Sequence, residues 1–93
     1  MIAIIIKEEC HGFIGVADSV VHAIDFLIEN HWLTEYSSVF QYAGNGKWTE
    51  SSVKERFGDN WAQTIKQFNR EKFNNEFEGS FYFSEETVYT GED

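Results

Sequence analysis

The chain has 93 residues and a formal charge of −9, from 16 Asp and Glu against 7 Lys and Arg. Its 42% hydrophobic content, concentrated in 9 Phe, 4 Tyr and 3 Trp, supports a folded core and excludes disorder despite that charge. A domain of this size buries only about 60–65% of its unfolded surface, which leaves little room for a large cofactor cleft, and the lack of clustered Lys and Arg excludes direct binding to nucleic acid.

In chain order, Ile2 to Lys7 is a short β-branched run that predicts a strand buried on both faces. Glu8 to Gly12 reads as a turn, and Phe13 to Ala17 as a second strand, joined too closely to the first for anything but an antiparallel hairpin. Asp18 is the expected N-cap of a helix from Ser19 to about Asn30. Ala17, Val20, Val21, Ile24, Leu27 and Ile28 form its apolar stripe, with Ala23 and Phe26 at the edge. Asp18, His22, Asp25 and Glu29 recur on the opposite face.

Tyr36 to Tyr42 and the aromatic-flanked Asn45-Gly46 predict a second hairpin. Ser52 and Glu55 have capping-box spacing, Val53 and Phe57 share a helix face, and Gly58 ends that turn. Asn60 and Gln63 repeat the capping spacing before Trp61, Ile65 and Phe68. Asn69 is placed to cap a further short helix in which Phe73 and Phe77 pair, with Gly79 as its stop. Ser80 to Phe83 and Thr87 to Thr90 read as a closing hairpin around Ser84-Glu85-Glu86, and residues 91–93 as a frayed tail.

This order predicts an α+β fold: a small antiparallel sheet with one main amphipathic helix and two or three short helices packed on one face. Proline is absent and no linker or repeat interrupts the pattern, so residues 1–93 are expected to form a single compact domain. Cys10 is the sole cysteine, which excludes an internal disulfide and a four-cysteine zinc site. The apolar start lacks a preceding basic region and ends after six residues, too short for a signal core or a membrane span. The expectation is a soluble cytoplasmic protein.

Few residues suggest chemistry. His22, with Asp18 and Asp25 one turn either side and Glu29 beyond, has the residue types of a metal site or general base, but no second element supplies a further ligand. Cys10-His11 would alternate faces on a strand, and in a turn no Asn or Asp is placed by pattern to orient the imidazole. Gly44-Asn45-Gly46-Lys47 lacks the glycine spacing and the following Ser or Thr of a phosphate loop. No catalytic residue, metal ligand or cofactor is assigned. Trp61, Phe68, Phe73 and Phe77 read as core, whereas Tyr82, Tyr89, Trp32 and Trp48 are candidates for contact with a partner.

Charge placement is more informative. Up to Gly46 there are six acids and Lys7 alone as a base, and from Asn74 onward six acids and no Lys or Arg. Two zones of unpaired negative charge are expected: the outer helix face, with Asp18, Asp25 and Glu29, and the closing hairpin, with Glu85, Glu86, Tyr82 and Tyr89. Asp25 and Glu29 would lie about 6 Å apart along a helix axis, close to the phosphate spacing of a nucleic-acid strand. Such surfaces suit a basic partner, with acids steering the approach and desolvated aromatics supplying affinity.

The segments from His11-Gly12-Phe13 through Trp32-Leu33, and Phe73-Asn74-Asn75-Glu76-Phe77-Glu78-Gly79-Ser80-Phe81-Tyr82-Phe83, give the chain the character of small acidic proteins encoded by phages and prophages. In that character it resembles anti-CRISPR and other anti-defence inhibitors. The resemblance implies an inhibitor, acting in the host cytoplasm as a nucleic-acid mimic, that blocks the basic nucleic-acid-binding surface of a defence nuclease such as a CRISPR effector. The alternative is a non-inhibitory binding or regulatory module, as a homodimer, whose acidity serves solubility alone.

Overall fold

β-branched residues favour the pleated backbone, and Ile2–Glu8 forms the first strand, β1. In the structure, a computed structural model that describes residues 1–89, β1 is the middle strand of a three-stranded antiparallel sheet of order β2-β1-β5. Ile4 and Ile6 are buried, Ala3 and Ile5 are half-buried, and Ile2 and Lys7 are exposed. The strand is therefore covered on one face, not on both as its composition suggests. β2 (Gly12–Ala17) pairs with β1 from Ile4–Ala17 to Glu8–Gly12, with a bulge between Ile6 and Lys7. Glu8 holds the intervening turn: its Oε1 accepts from the Cys10 and His11 N–H groups at 3.1 and 2.9 Å.

Helix α1 (Val20–Glu29) follows, and its N-cap is Ser19 rather than Asp18. Ser19 has the extended backbone a cap needs, and its hydroxyl accepts from the His22 N–H at 3.2 Å; Asp18 is one residue too early to reach it. Ala23, Ile24 and Leu27 are fully buried, so the stripe is centred on them. Val21, expected inside it, is 40% exposed.

Strands β3 (Ser38–Gly44) and β4 (Lys47–Ser52) form a separate two-stranded sheet. Asn45 and Gly46 both have positive φ, 53° and 73°, as a two-residue hairpin turn of the I′ type requires. Helix α2 (Val53–Phe57) starts with the Ser52–Glu55 capping box and stops at Gly58, whose φ of 87° ends the helix. Helix α3 (Trp61–Lys66) lacks the expected cap. Asn60 has φ −94° and ψ 30°, away from the extended geometry that aims a capping side chain at the helix, and makes no such bond. Helix α4 (Arg70–Glu76) is capped by Asn69, whose Oδ1 accepts from the Lys72 N–H at 2.8 Å.

The expected closing hairpin is instead one strand, β5 (Phe81–Thr87), antiparallel to β1 from Ile2–Thr87 to Glu8–Phe81. Ser84-Glu85-Glu86 contains no Gly or Asn to reverse the chain, and alternation of buried Phe81 and Phe83 with exposed Tyr82 suits a single strand. Thr90 of the expected hairpin and the expected frayed tail, 91–93, lie outside the described residues.

The core joins β1, β5, α1, α4, Leu33, Val39, Val53 and Ile65 into one cluster. At its centre Phe73 of α4 is stacked on Phe83 of β5, with centroids 4.0 Å apart and planes within 1°, and on Phe77 at 4.7 Å. Asn74 fastens α4 to the edge of β5, donating to the Phe83 carbonyl at 2.9 Å and accepting from the Phe83 N–H at 2.8 Å. The result is a small α+β fold with an antiparallel sheet and short helices packed together. Among the described residues no helix is long and apolar enough to cross a membrane.

Candidate functional site

The acids expected to form the helix-face zone are partly neutralised. Asp25 lies between α1 and α3 and forms an ion pair with Lys66 at 2.8 Å. Asp18, ahead of the helix rather than on it, accepts from His22 Nδ1 at 2.5 Å. Glu29 is exposed and has no basic partner among the described residues. In the C-terminal zone Glu85 faces Arg70 at 3.8 Å, while Glu86 has no basic partner among the described residues. Tyr82 and Tyr89 are exposed, Tyr82 on the side of β5 opposite Phe81 and Phe83. The expectation that both zones carry unpaired charge is corrected at Asp25 and Glu85. Lys66 and Arg70 reach them from helices that the sequence order leaves unplaced.

The His22–Asp18 contact has a titration signature. The hydrogen bond to Asp18, reinforced by its charge, raises the His22 imidazole above its ordinary 6.5, and the same hydrogen bond holds Asp18 below its ordinary 3.8. Protonated His22 is thus favoured by folding. Its contribution is complete below about pH 6.5, the unfolded value, and is lost as pH rises through the folded value. The Asp18 contribution is present above its unfolded value and is lost as pH falls through its folded one. The pair therefore contributes most between those limits. We predict an NMR titration midpoint for His22 above 6.5 in the native protein and closer to 6.5 in Asp18→Asn. An unchanged midpoint would contradict the contact.

Cys10 and His11 lie in the turn between β1 and β2. His11 Nδ1 bonds to Glu8 Oε1 at 2.5 Å, and its ring meets Trp32 edge-on at 5.1 Å. The contact with His11 holds the Glu8 carboxyl below its ordinary value. Among the described residues no group of three His, Cys, Asp or Glu side chains is placed to hold a metal ion.

A different acidic site emerges where β1, β5 and α4 meet. The Glu9 N–H donates to the Ser80 carbonyl at 2.9 Å, which extends the β1–β5 ladder and sets Glu9 beside the α4–β5 turn. That turn closes through Ser80 and Phe81 N–H groups donating to the Phe77 carbonyl, with Gly79 at φ 84°. An open groove of about 790 Å³ results, bordered by Glu9, Glu71 and Glu78 from three segments, with Asn74 and Asn75 at its wall. Glu9, Glu71 and Glu78 are exposed and have no basic partner among the described residues. Two bases border it: Arg70, already facing Glu85, and Lys7. Carboxylates so placed accept charge-assisted hydrogen bonds from Arg or Lys side chains entering the groove. Sequence order gives no warning of this convergence beyond the acid-only run after Asn74, because turn and ladder geometry bring the three glutamates together.

The chain matches no family model, no curated protein and no solved structure.

Proposed function

We propose that the protein is a small non-enzymatic inhibitor that binds a basic, nucleic-acid-binding surface of another protein, with a CRISPR-type defence nuclease as its target. The observation that carries this reading is the acidic groove, in which Glu9, Glu71 and Glu78 converge with no ion pair among the described residues, outnumbering the two bases at its border, Lys7 and Arg70. Arg and Lys side chains that normally contact phosphates would find carboxylates there instead. The net charge of −9 would speed their approach by electrostatic steering. Glu29 and Glu86, which also lack basic partners among the described residues, extend the negative field beyond the groove.

Calorimetric titration of the protein into purified CRISPR effectors, each free and with its nucleic acid already bound, tests this function. The expected result is binding to the free effector that is lost once the nucleic-acid channel is filled. Equal binding to both forms would show that the nucleic-acid surface is not the target.

A further inference from the structure

Cross-strand partners share a face, so the ladder divides the three-stranded sheet into two sides. One side, with Ile4, Ile6 and Phe83, is the core. The other carries rows of side chains across the strands: Glu86 beside Ala3, then Val16 and Ser84 flanking Ile5, then Phe13 and Tyr82 flanking Lys7. Its apolar groups stand in solvent, Phe13 being 63% exposed, Val16 56% and Tyr82 50%. A contiguous apolar patch of this kind on a highly charged protein marks a contact surface.

The charges around the patch select its occupant. Lys7, Gly12 and Tyr82 also border the acidic groove, so patch and groove form one continuous surface. Glu9 prolongs β1 two positions beyond Lys7, and Glu71 and Glu78 border the same groove. Glu86 stands at the other end of the patch. Along β1 the surface therefore runs from acid through apolar to acid, and Ala3, the partner of Glu86, lies six positions before Glu9. At about 3.4 Å per residue the two acidic ends are roughly 20 Å apart. Against these carboxylates Lys7 is the one base without an ion-pair partner among the described residues, since Arg70 faces Glu85. A second copy of the chain would set acids on acids, and a nucleic acid or an anionic lipid surface would meet the same repulsion. A protein segment with apolar side chains between two basic ends meets the opposite charge at each end and an apolar surface between them.

We propose that the open sheet face and the acidic groove together receive one extended segment of the partner protein, apolar in its middle and carrying Arg or Lys at both ends. The inference rests on the reading of the groove as a receptor for basic side chains, and adds that the partner is recognised by apolar groups as well as by charge. The acids steer and orient the segment, and salt screens that contribution. Phe13, Val16 and Tyr82 supply a contact that salt does not screen. Lys7 opposes the incoming bases, so it weakens the site that it borders.

Fluorescence anisotropy with two labelled peptides of equal charge tests it. Both carry Arg-Arg at each end, one with Leu-Ile-Val-Leu between and the other with Ser-Gly-Ser-Gly. The apolar peptide is expected to bind about tenfold or more tighter and to keep that advantage at high NaCl. Phe13→Ser/Val16→Ser, at exposed positions that leave folding intact, should abolish the advantage without weakening the Ser-Gly peptide. Glu9→Gln/Glu71→Gln/Glu78→Gln should weaken both peptides alike, and Lys7→Gln should tighten both. Failure of both peptides to bind, or equal binding of the two, would overturn the proposal. So would an advantage that survives Phe13→Ser/Val16→Ser. Peptide binding as expected, with no displacement of nucleic acid from a CRISPR effector, would remove the proposed target and leave this inference standing.

Discussion

Phe73→Ala is expected to cost about 3–5 kcal/mol of folding stability, the largest loss from any single truncation in this molecule. The ring is fully buried, stacked on Phe83 at 4.0 Å and on Phe77 at 4.7 Å, so its removal opens a cavity between α4 and β5 that neither neighbour is free to fill. A chain of this length has a total stability of roughly 5–14 kcal/mol, so the variant approaches the unfolding threshold. Urea denaturation should show the midpoint falling sharply with little change in slope. Phe73→Leu, which keeps most of the volume, should lose much less. A loss below about 1 kcal/mol for the alanine variant would mean that the aromatic stack is not the centre of the core.

Asn74→Leu is expected to cost about 2 kcal/mol, although the residue is only partly buried. Its amide satisfies both the N–H and the C=O of Phe83 on the outer edge of β5. Each lost hydrogen bond is worth about 0.5–1.5 kcal/mol net, and the backbone groups left behind are only partly able to reach water. Unsatisfied edge groups are also a template for pairing with another chain, so the variant should aggregate more readily on partial unfolding. Hydrogen exchange gives the direct reading: the Phe83 amide should lose protection in the variant while the Ile6 amide in the central strand keeps most of its own. Unchanged protection at Phe83 would contradict the clamp.

At several positions where one local rule decides the conformation the sequence and the structure agree, although Asn60 does not cap α3 as its spacing suggests. Asn45-Gly46 demands positive φ at both positions, Ser52 and Glu55 cap each other, and Asn69 caps α4. The Phe73–Phe77 spacing puts both rings on one helix face. Disagreements arise where two local rules compete or where a distant partner decides. Asp18 and Ser19 are both good caps by composition, and only the backbone angles at Ser19 select it. The last strand was readable from the alternation of Phe81, Tyr82 and Phe83 and from the absence of a turn residue after them. The polarity of Ser84-Glu85-Glu86 imitates a loop because that stretch runs to the exposed end of the sheet.

The candidate site was less legible for the same reason. The charge total and the acid-only stretch after Asn74 indicate a negative surface, but not which acids stay unpaired. Lys66 meets Asp25 only because α3 packs beside α1, and Arg70 faces Glu85 only because α4 lies along β5. Glu71 and Glu78 are seven residues apart, but Glu9 has no spacing that relates it to them and meets them through the β1–β5 ladder and the turn after α4.

The most direct measurement of the central claim is displacement of fluorescent nucleic acid from a purified CRISPR effector by this protein, followed against NaCl concentration. The native protein should displace the nucleic acid at low salt and lose potency steeply as salt rises. Glu9→Gln/Glu71→Gln/Glu78→Gln should be about threefold to a hundredfold weaker at low salt, each exposed charge contributing about 0.2–1 kcal/mol, and should show a shallower salt dependence. Displacement that is insensitive to salt and unaffected by the triple change would contradict an acidic groove acting in place of nucleic acid.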